Sequence, residues 1–229
     1  MKTLKLLVLS ALLLTTPLWA NQPAIADVTF ASYTGDTERL ELLLQTATPG
    51  TYERAYLEYR LGVDHYRLGK SESADDFLKD SITTLKEVVS QDPDSAEAHA
   101  LMSTAIGMRI SFKPVIRGMT MGAASNSALD KAEELDPDNP RVLLIKGIGA
   151  FNTPTLFGGG NKKAMNALDK SISIYSGDAT GWGQADAYIW RGLIHKSNGD
   201  IDQARADFSE ALSVAPEHGW AASLLTTLD

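Results

Sequence analysis

Residues Ala185 to Pro216 read ADAYIWRGLIHKSNGDIDQARADFSEALSVAP, and this stretch constrains the fold more than any other. Two segments of helical period flank Asn198-Gly199-Asp200, a turn signal. The second segment carries Ile201, Ala204, Phe208 and Ala211 on one face and stops at Pro216. With Ala185 as the first position, Gly192 is eighth and Ala204 twentieth. Two antiparallel helices nest closely only where the crossing side chains are small, so Gly192 and Ala204 are expected at that contact. Phe208 would fill the gap above them, Ala211 would let the next unit approach, and Pro216 lacks the N–H that a longer helix needs.

Related units precede it. Tyr52 to Pro93 places Gly62 at the crossing, Gly69 in the turn, and Phe77, Ile82, Leu85 and Val88 on the second helix. Ala96 to Pro137 gives a helix to about Ile110 and a second one ending AEELDPDNP. Pro140 to Ser176 places Gly147 at the crossing, with Ala164, Leu168 and Ser171 opposite. Pro93 and Pro137 lie 44 residues apart, and Pro137 and Pro216 lie 79 apart, about two units of 40. The surplus over a shorter repeat is expected between the helices of each pair, at Lys70 to Asp76, Ser111 to Gly122 and Asn152 to Asn161.

These offsets resemble the tetratricopeptide repeat, a helix–turn–helix unit of about 34 residues. Arg191 departs from the family, which prefers leucine there. The resemblance implies an all-α fold: a right-handed superhelical stack of about four hairpins, with a C-terminal capping helix near His218 to Thr227. The organisation expected is a signal peptide over 1–20, an N-terminal extension with a short helix over 21–50, and the repeat domain over 51–229. The short helix is expected at Asp36 to Gln45, and Asn21 to Ser32 is expected to be poorly ordered.

The leader reading rests on Lys2 and Lys5, the apolar run Leu6 to Leu14, and small residues before Asn21. Cleavage is expected after Ala20, with Ala26 as the second site, and export to the periplasm or the extracellular space. No later stretch is apolar enough to span a bilayer, so no stable membrane insertion is expected after cleavage. Cysteine is absent, which removes disulfides, thiolate nucleophiles and zinc–thiolate sites. A formal charge of −8 argues against nucleic acid as a partner.

In a stack of this type the first helix of each pair lines the inner surface, at its second, fifth, ninth and twelfth positions. These are Tyr56, Tyr59, Val63 and Tyr66 in the first pair. Thr104, with Met108 beside the inner row, comes from the second, and Leu144, Ile148 and Phe151 from the third. Ile189 and Leu193 come from the fourth, with Asp186 and Lys196 at the rim. An apolar groove of this kind points to binding of a protein or peptide, or of a small apolar ligand. It is either open to a partner or filled by the chain's own insertions or front segment. It does not resemble the carboxylate clamp of chaperone-binding relatives, which has lysine and asparagine where this chain has Tyr59 and Val63.

Two insertions are candidates to roof a pocket. One joins Lys113, Pro114, Arg117, Met119 and Met121, with Arg117 free to meet an anion or Val115, Ile116 and Met119 packed over the hairpin end. The other carries Phe157, Gly158, Gly159 and Gly160 ahead of Lys162 and Lys163, either as an anion-binding turn or as a tight turn with Phe157 tucked between helices. Pro154 to Gly159, leading into Lys163-Ala164, is similar to a segment of the T-component proteins associated with TRAP transporters. Those are exported helical-repeat lipoproteins, and the similarity implies assistance in ligand uptake; this chain has no cysteine to acylate.

No catalytic, cofactor or metal site is expected. His65, His99, His195 and His218 have no paired ligand spacing, and His65 and His195 occupy packing positions. Asp92-Pro93-Asp94 and Asp136-Pro137-Asp138 lack the glycine and distal glutamate of a calcium loop.

Overall fold

The computed structural model describes residues 24–175 and 182–228. The expected leader and its first cleavage site lie outside the described residues. Among these there are eleven α-helices, one 3-10 turn and no strand. Two short helices, α1 (Ile25–Thr34) and α2 (Thr37–Thr46), lead in. Four antiparallel pairs follow: α3 (Tyr52–Arg67) with α4 (Ser71–Gln91), α5 (Ala96–Phe112) with α6 (Pro114–Leu135), α7 (Pro140–Asn152) with α8 (Asn161–Tyr175), and α9 (Gln184–Asn198) with α10 (Ile201–Val214). The eight-residue α11 (Gly219–Thr226) packs on α10 as the expected cap. The pairs stack into a right-handed tetratricopeptide-type solenoid.

Glycine sets the crossings. A Cβ on Gly62 would stand 2.8 Å from Leu78 Cγ, one on Gly147 2.6 Å from Leu168 Cγ, and one on Gly192 2.5 Å from the Phe208 ring. Ala74, Ala164 and Ala204 sit fully buried one turn before those partners. The second pair solves the crossing with serines. Ser103 and Ser125 approach to 3.2 Å between hydroxyls, and Ser125 also donates to the Ser103 carbonyl at 3.0 Å. The helix ends follow local chemistry. Gly69 and Gly199 adopt left-handed φ of 74° and 87° where α3 and α9 stop. Pro140 opens α7, behind an Asn139 side chain that accepts from the N–H groups of Arg141 and Val142.

Two expectations are corrected. The surplus at Lys70 to Asp76 and Ser111 to Gly122 is helix apart from Lys70 and Lys113, not loop. It lengthens α4 to 21 residues and α6 to 22. Nothing in the first stretch breaks a helix, and Pro114 fits the first helical position, so the chain turns at Lys113 alone. Only the third insertion leaves helical structure. The second correction is Asn21 to Ser32. From Ile25 onward it is helical, with Val28 and Ala31 in the main core. Its β-branched and polar residues give it weak intrinsic propensity, and tertiary packing holds it.

Candidate functional site

The inner face is contributed by α3, α5, α7 and α9, and it divides along its depth. At the N-terminal halves of these helices it is shut. Tyr56, Leu144 and Ile189, expected on the inner surface, are fully buried. Tyr56 stacks on Trp182 with ring centroids 5.0 Å apart, which brings the first pair against the last. Helix α1 lies across the same end. The Thr29 and Tyr56 hydroxyls approach to 3.1 Å, and Ser32 accepts from Arg60 Nε at 2.8 Å and donates to Asp64 at 3.3 Å. Tyr33 donates to Asp186 at 2.5 Å and stacks on His218 with centroids 3.9 Å apart. The front segment therefore ties α3 to α9 and to the cap, and fills the base of the face.

The C-terminal halves stay open. Val63, Thr104, Met108, Ile148, Phe151 and Leu193 are half-buried, and Tyr66 is 48% exposed and stacked on Phe112. Tyr59 is half-buried between the two zones. A cavity of about 60 Å³ lies at the boundary, lined by all four inner helices and including Tyr59, Arg60, Thr104, Ile148, Asp186 and Trp190.

Burial pushes the Asp186 carboxyl up. The His218 imidazole, the Arg60 charge and the Tyr33 hydroxyl together outweigh that and hold it at about 2. Burial pulls Arg60 toward deprotonation, but the neighbouring tyrosines and Asp186 raise it above the ordinary arginine value, so it stays charged.

The insertion residues behave differently from expectation. Arg117 is not free for an anion. It forks Asp75 at 2.7 and 2.9 Å and also donates to the Arg109 carbonyl. Burial raises Asp75, but the hydrogen bonds from Arg109 and Arg117 win and hold it at about 2. Met119 is 85% exposed, and Val115 and Ile116 are exposed beside it rather than packed over the hairpin end.

Phe157 is 76% exposed, not tucked between helices. The Gly158, Gly159 and Gly160 N–H groups bond Thr155, Pro154 and Ala150 carbonyls, so none is offered to an anion. A Cβ on Gly159 would sit 1.9 Å from the Thr153 carbonyl oxygen; this backbone turn folds onto the end of α7 and leaves Leu156 and Phe157 outside.

Of the exposed large apolar side chains, Leu68, Val115, Ile116, Met119, Leu156, Phe157 and Ile201 lie where a first helix hands over to a second, while Phe30, Leu42 and Val214 lie elsewhere. That end of the solenoid is also the open end of the inner face. Helical period alone did not reveal this, because it does not separate a buried apolar stripe from one that overruns the hairpin tip. Arg60 and Trp190 were missed for a related reason: they lie between the inward positions and reach the cavity only because the stack curls.

The histidines pack. His65 meets Phe77 edge-on with centroids 4.9 Å apart, and His195 lies 3.7 Å from Asp200. Among the described residues no group of three acidic or histidine side chains is placed to hold a metal ion, and no helix is long and apolar enough to cross a membrane.

Helical hairpins stacked through small crossing residues, with one open apolar face, define a helical-repeat interaction scaffold. The tetratricopeptide-repeat profile matches residues 185–218, the unit around Gly192, and the fold is of the tetratricopeptide-repeat type. Its fold is similar to a thermophilic TPR protein of Thermus thermophilus, at 18% identity over 89% of this chain and 100% of that one, with a TM-score of 0.54. It is also similar to the HusA haemophore from Porphyromonas gingivalis, at 26% identity over 75% of this chain and 86% of that one, with a TM-score of 0.55. No curated protein sequence matches the chain.

Proposed function

We propose that this is a non-catalytic, protein-binding scaffold of the bacterial cell envelope, acting in the periplasm, that takes its partner at the open end of the inner face. One observation carries the reading. The half-buried apolar residues of the mouth lie on the C-terminal halves of the first helices, and Leu68, Val115, Met119 and Phe157 stand exposed where those hairpins turn. Exposed apolar surface gathered at one end of the hairpins marks an interaction site. The positive, apolar, small-residue order of the first twenty residues supports export.

The test uses Val63→Asp with Leu193→Asp in the tagged full-length chain. Both side chains are only half-buried, so the fold is expected to tolerate the change. The double variant is expected to keep its circular dichroism and melting temperature and to lose its partner from the envelope fraction. Undiminished capture would overturn the reading.

A second reading is favoured by the likeness to HusA, which is named a haemophore. Here the same mouth carries a small amphipathic ligand, in association with a transporter.

A further inference from the structure

Arg60 is 7% exposed and only partly satisfied. Its Nε donates to Ser32, and its guanidinium lies 5.3 Å from the Tyr33 ring centroid and 5.9 Å from that of Tyr56. Among the described residues its two terminal nitrogens have no hydrogen-bond acceptor, and no carboxylate oxygen lies within 4.0 Å of them. Asp186, across the cavity, is already engaged. One oxygen accepts from Tyr33, and the other faces His218 Nε2 at 3.8 Å. Tyr33 of α1 and His218, which caps α11, hold the acid, while the base lines the cavity with its terminal nitrogens unbonded.

Asp186 balances part of the Arg60 charge from a distance, but terminal N–H groups left without an acceptor are costly, and a forked guanidinium matches a carboxylate through two parallel hydrogen bonds. The cavity, at about 60 Å³, has room for a head group and not for the body of a ligand. Its walls are the apolar and aromatic Leu144, Ile148, Tyr59 and Trp190, and above them the mouth continues with Val63 and Phe151. A single negative charge suits the site better than a phosphate dianion, because ionised Asp186 shares the lining.

We propose that the base of the inner face is a carboxylate site: Arg60 takes the acid head of a ligand whose apolar stem runs out to the mouth. This rests on the inner face being the binding surface. The shared chemistry, a carboxylate on an apolar stem, comes either from a fatty-acid-like small molecule or from the free C-terminus of an apolar peptide.

The probes are decanoate against decanol, and a short apolar peptide with a free against an amidated C-terminus. Binding to the folded mature chain is read by calorimetry and by the fluorescence of Trp182 and Trp190. At least one acid is expected to bind tenfold or more tighter than its neutral counterpart. Preference for decanoate identifies the small molecule as the source, and preference for the free peptide identifies the C-terminus.

Arg60→Gln is expected to erase the preference, and Arg60→Lys to retain part of it. Because the acid-against-neutral comparison is made on the unmodified chain, it stands even where Arg60→Gln fails to fold. Equal binding of acid and neutral probes overturns the carboxylate site and leaves the inner-face reading intact. No binding of any probe overturns both, and a preference unchanged in a folded Arg60→Gln overturns the role of Arg60.

Discussion

The crossing glycines are the residues whose role is most tightly fixed by space. At Gly192 even a methyl group meets the Phe208 ring at 2.5 Å and the Asp207 Cβ at 3.2 Å. Gly192→Ala is therefore expected to destabilise the fold by about 1–3 kcal/mol and lower the melting temperature by several degrees. An unchanged thermal transition would mean that the helices part at no cost. Spacing made Gly62, Gly147 and Gly192 legible in the sequence, because glycine inside a helical pattern needs a packing reason. The serine crossing at Ser103 was not legible, since its meaning depends on Ser125 on another helix. Arg191 is similar. Where the repeat prefers leucine, it forks Asp207 at 2.9 and 2.6 Å and reaches Asp169 at 2.9 Å, joining α8, α9 and α10. A departure from a family pattern shows in the sequence, but the carboxylates that make it tolerable do not.

At the scale of elements, the number and order of the paired helices could be read from period and terminators, while helix length and the front helix could not. Pro114, Gly118 and Gly122 look like a loop, yet Pro114 opens α6 and both glycines sit inside it with nothing within 4 Å of a Cβ. Gly118→Ala and Gly122→Ala are thus expected to stabilise the chain, each by up to about 1 kcal/mol, by reducing backbone freedom in the unfolded state. Urea midpoints check this, and a lower midpoint would place those residues outside a helix. Helix α1 escaped the sequence reading because its stability is tertiary. Val28 and Ala31 enter the core while Thr29, Ser32 and Tyr33 bond α3 and α9. Those partners lie up to 153 residues away in the chain, as for Tyr33 and Asp186.

For the whole molecule, closure of the inner face couples stability to pH. Asp75 and Asp186 both titrate near 2 in the folded chain, below the ordinary aspartate value of 3.8. Each therefore favours the fold above about pH 4, and that contribution is lost as pH falls toward 2. Burial raises Glu58 and Asp64, which act in the opposite sense: their contribution is present at low pH and lost as pH rises. Asp186→Asn is expected to flatten the fall in stability between about pH 4 and 2, by an amount on the order of 2 kcal/mol. Equal slopes for variant and parent would show that Asp186 is not held as described.

The stack was legible in the sequence. The division of the inner face was not, because it depends on how far the solenoid curls and on where α1 lies. The most direct test of that division is photo-crosslinking from single positions in the full-length chain. The account predicts partner adducts from Val63, Phe151 and Leu193 at the mouth, and none from Lys131 or Glu210 on the second helices. Adducts of equal yield from the second helices, or none from the mouth, would contradict it.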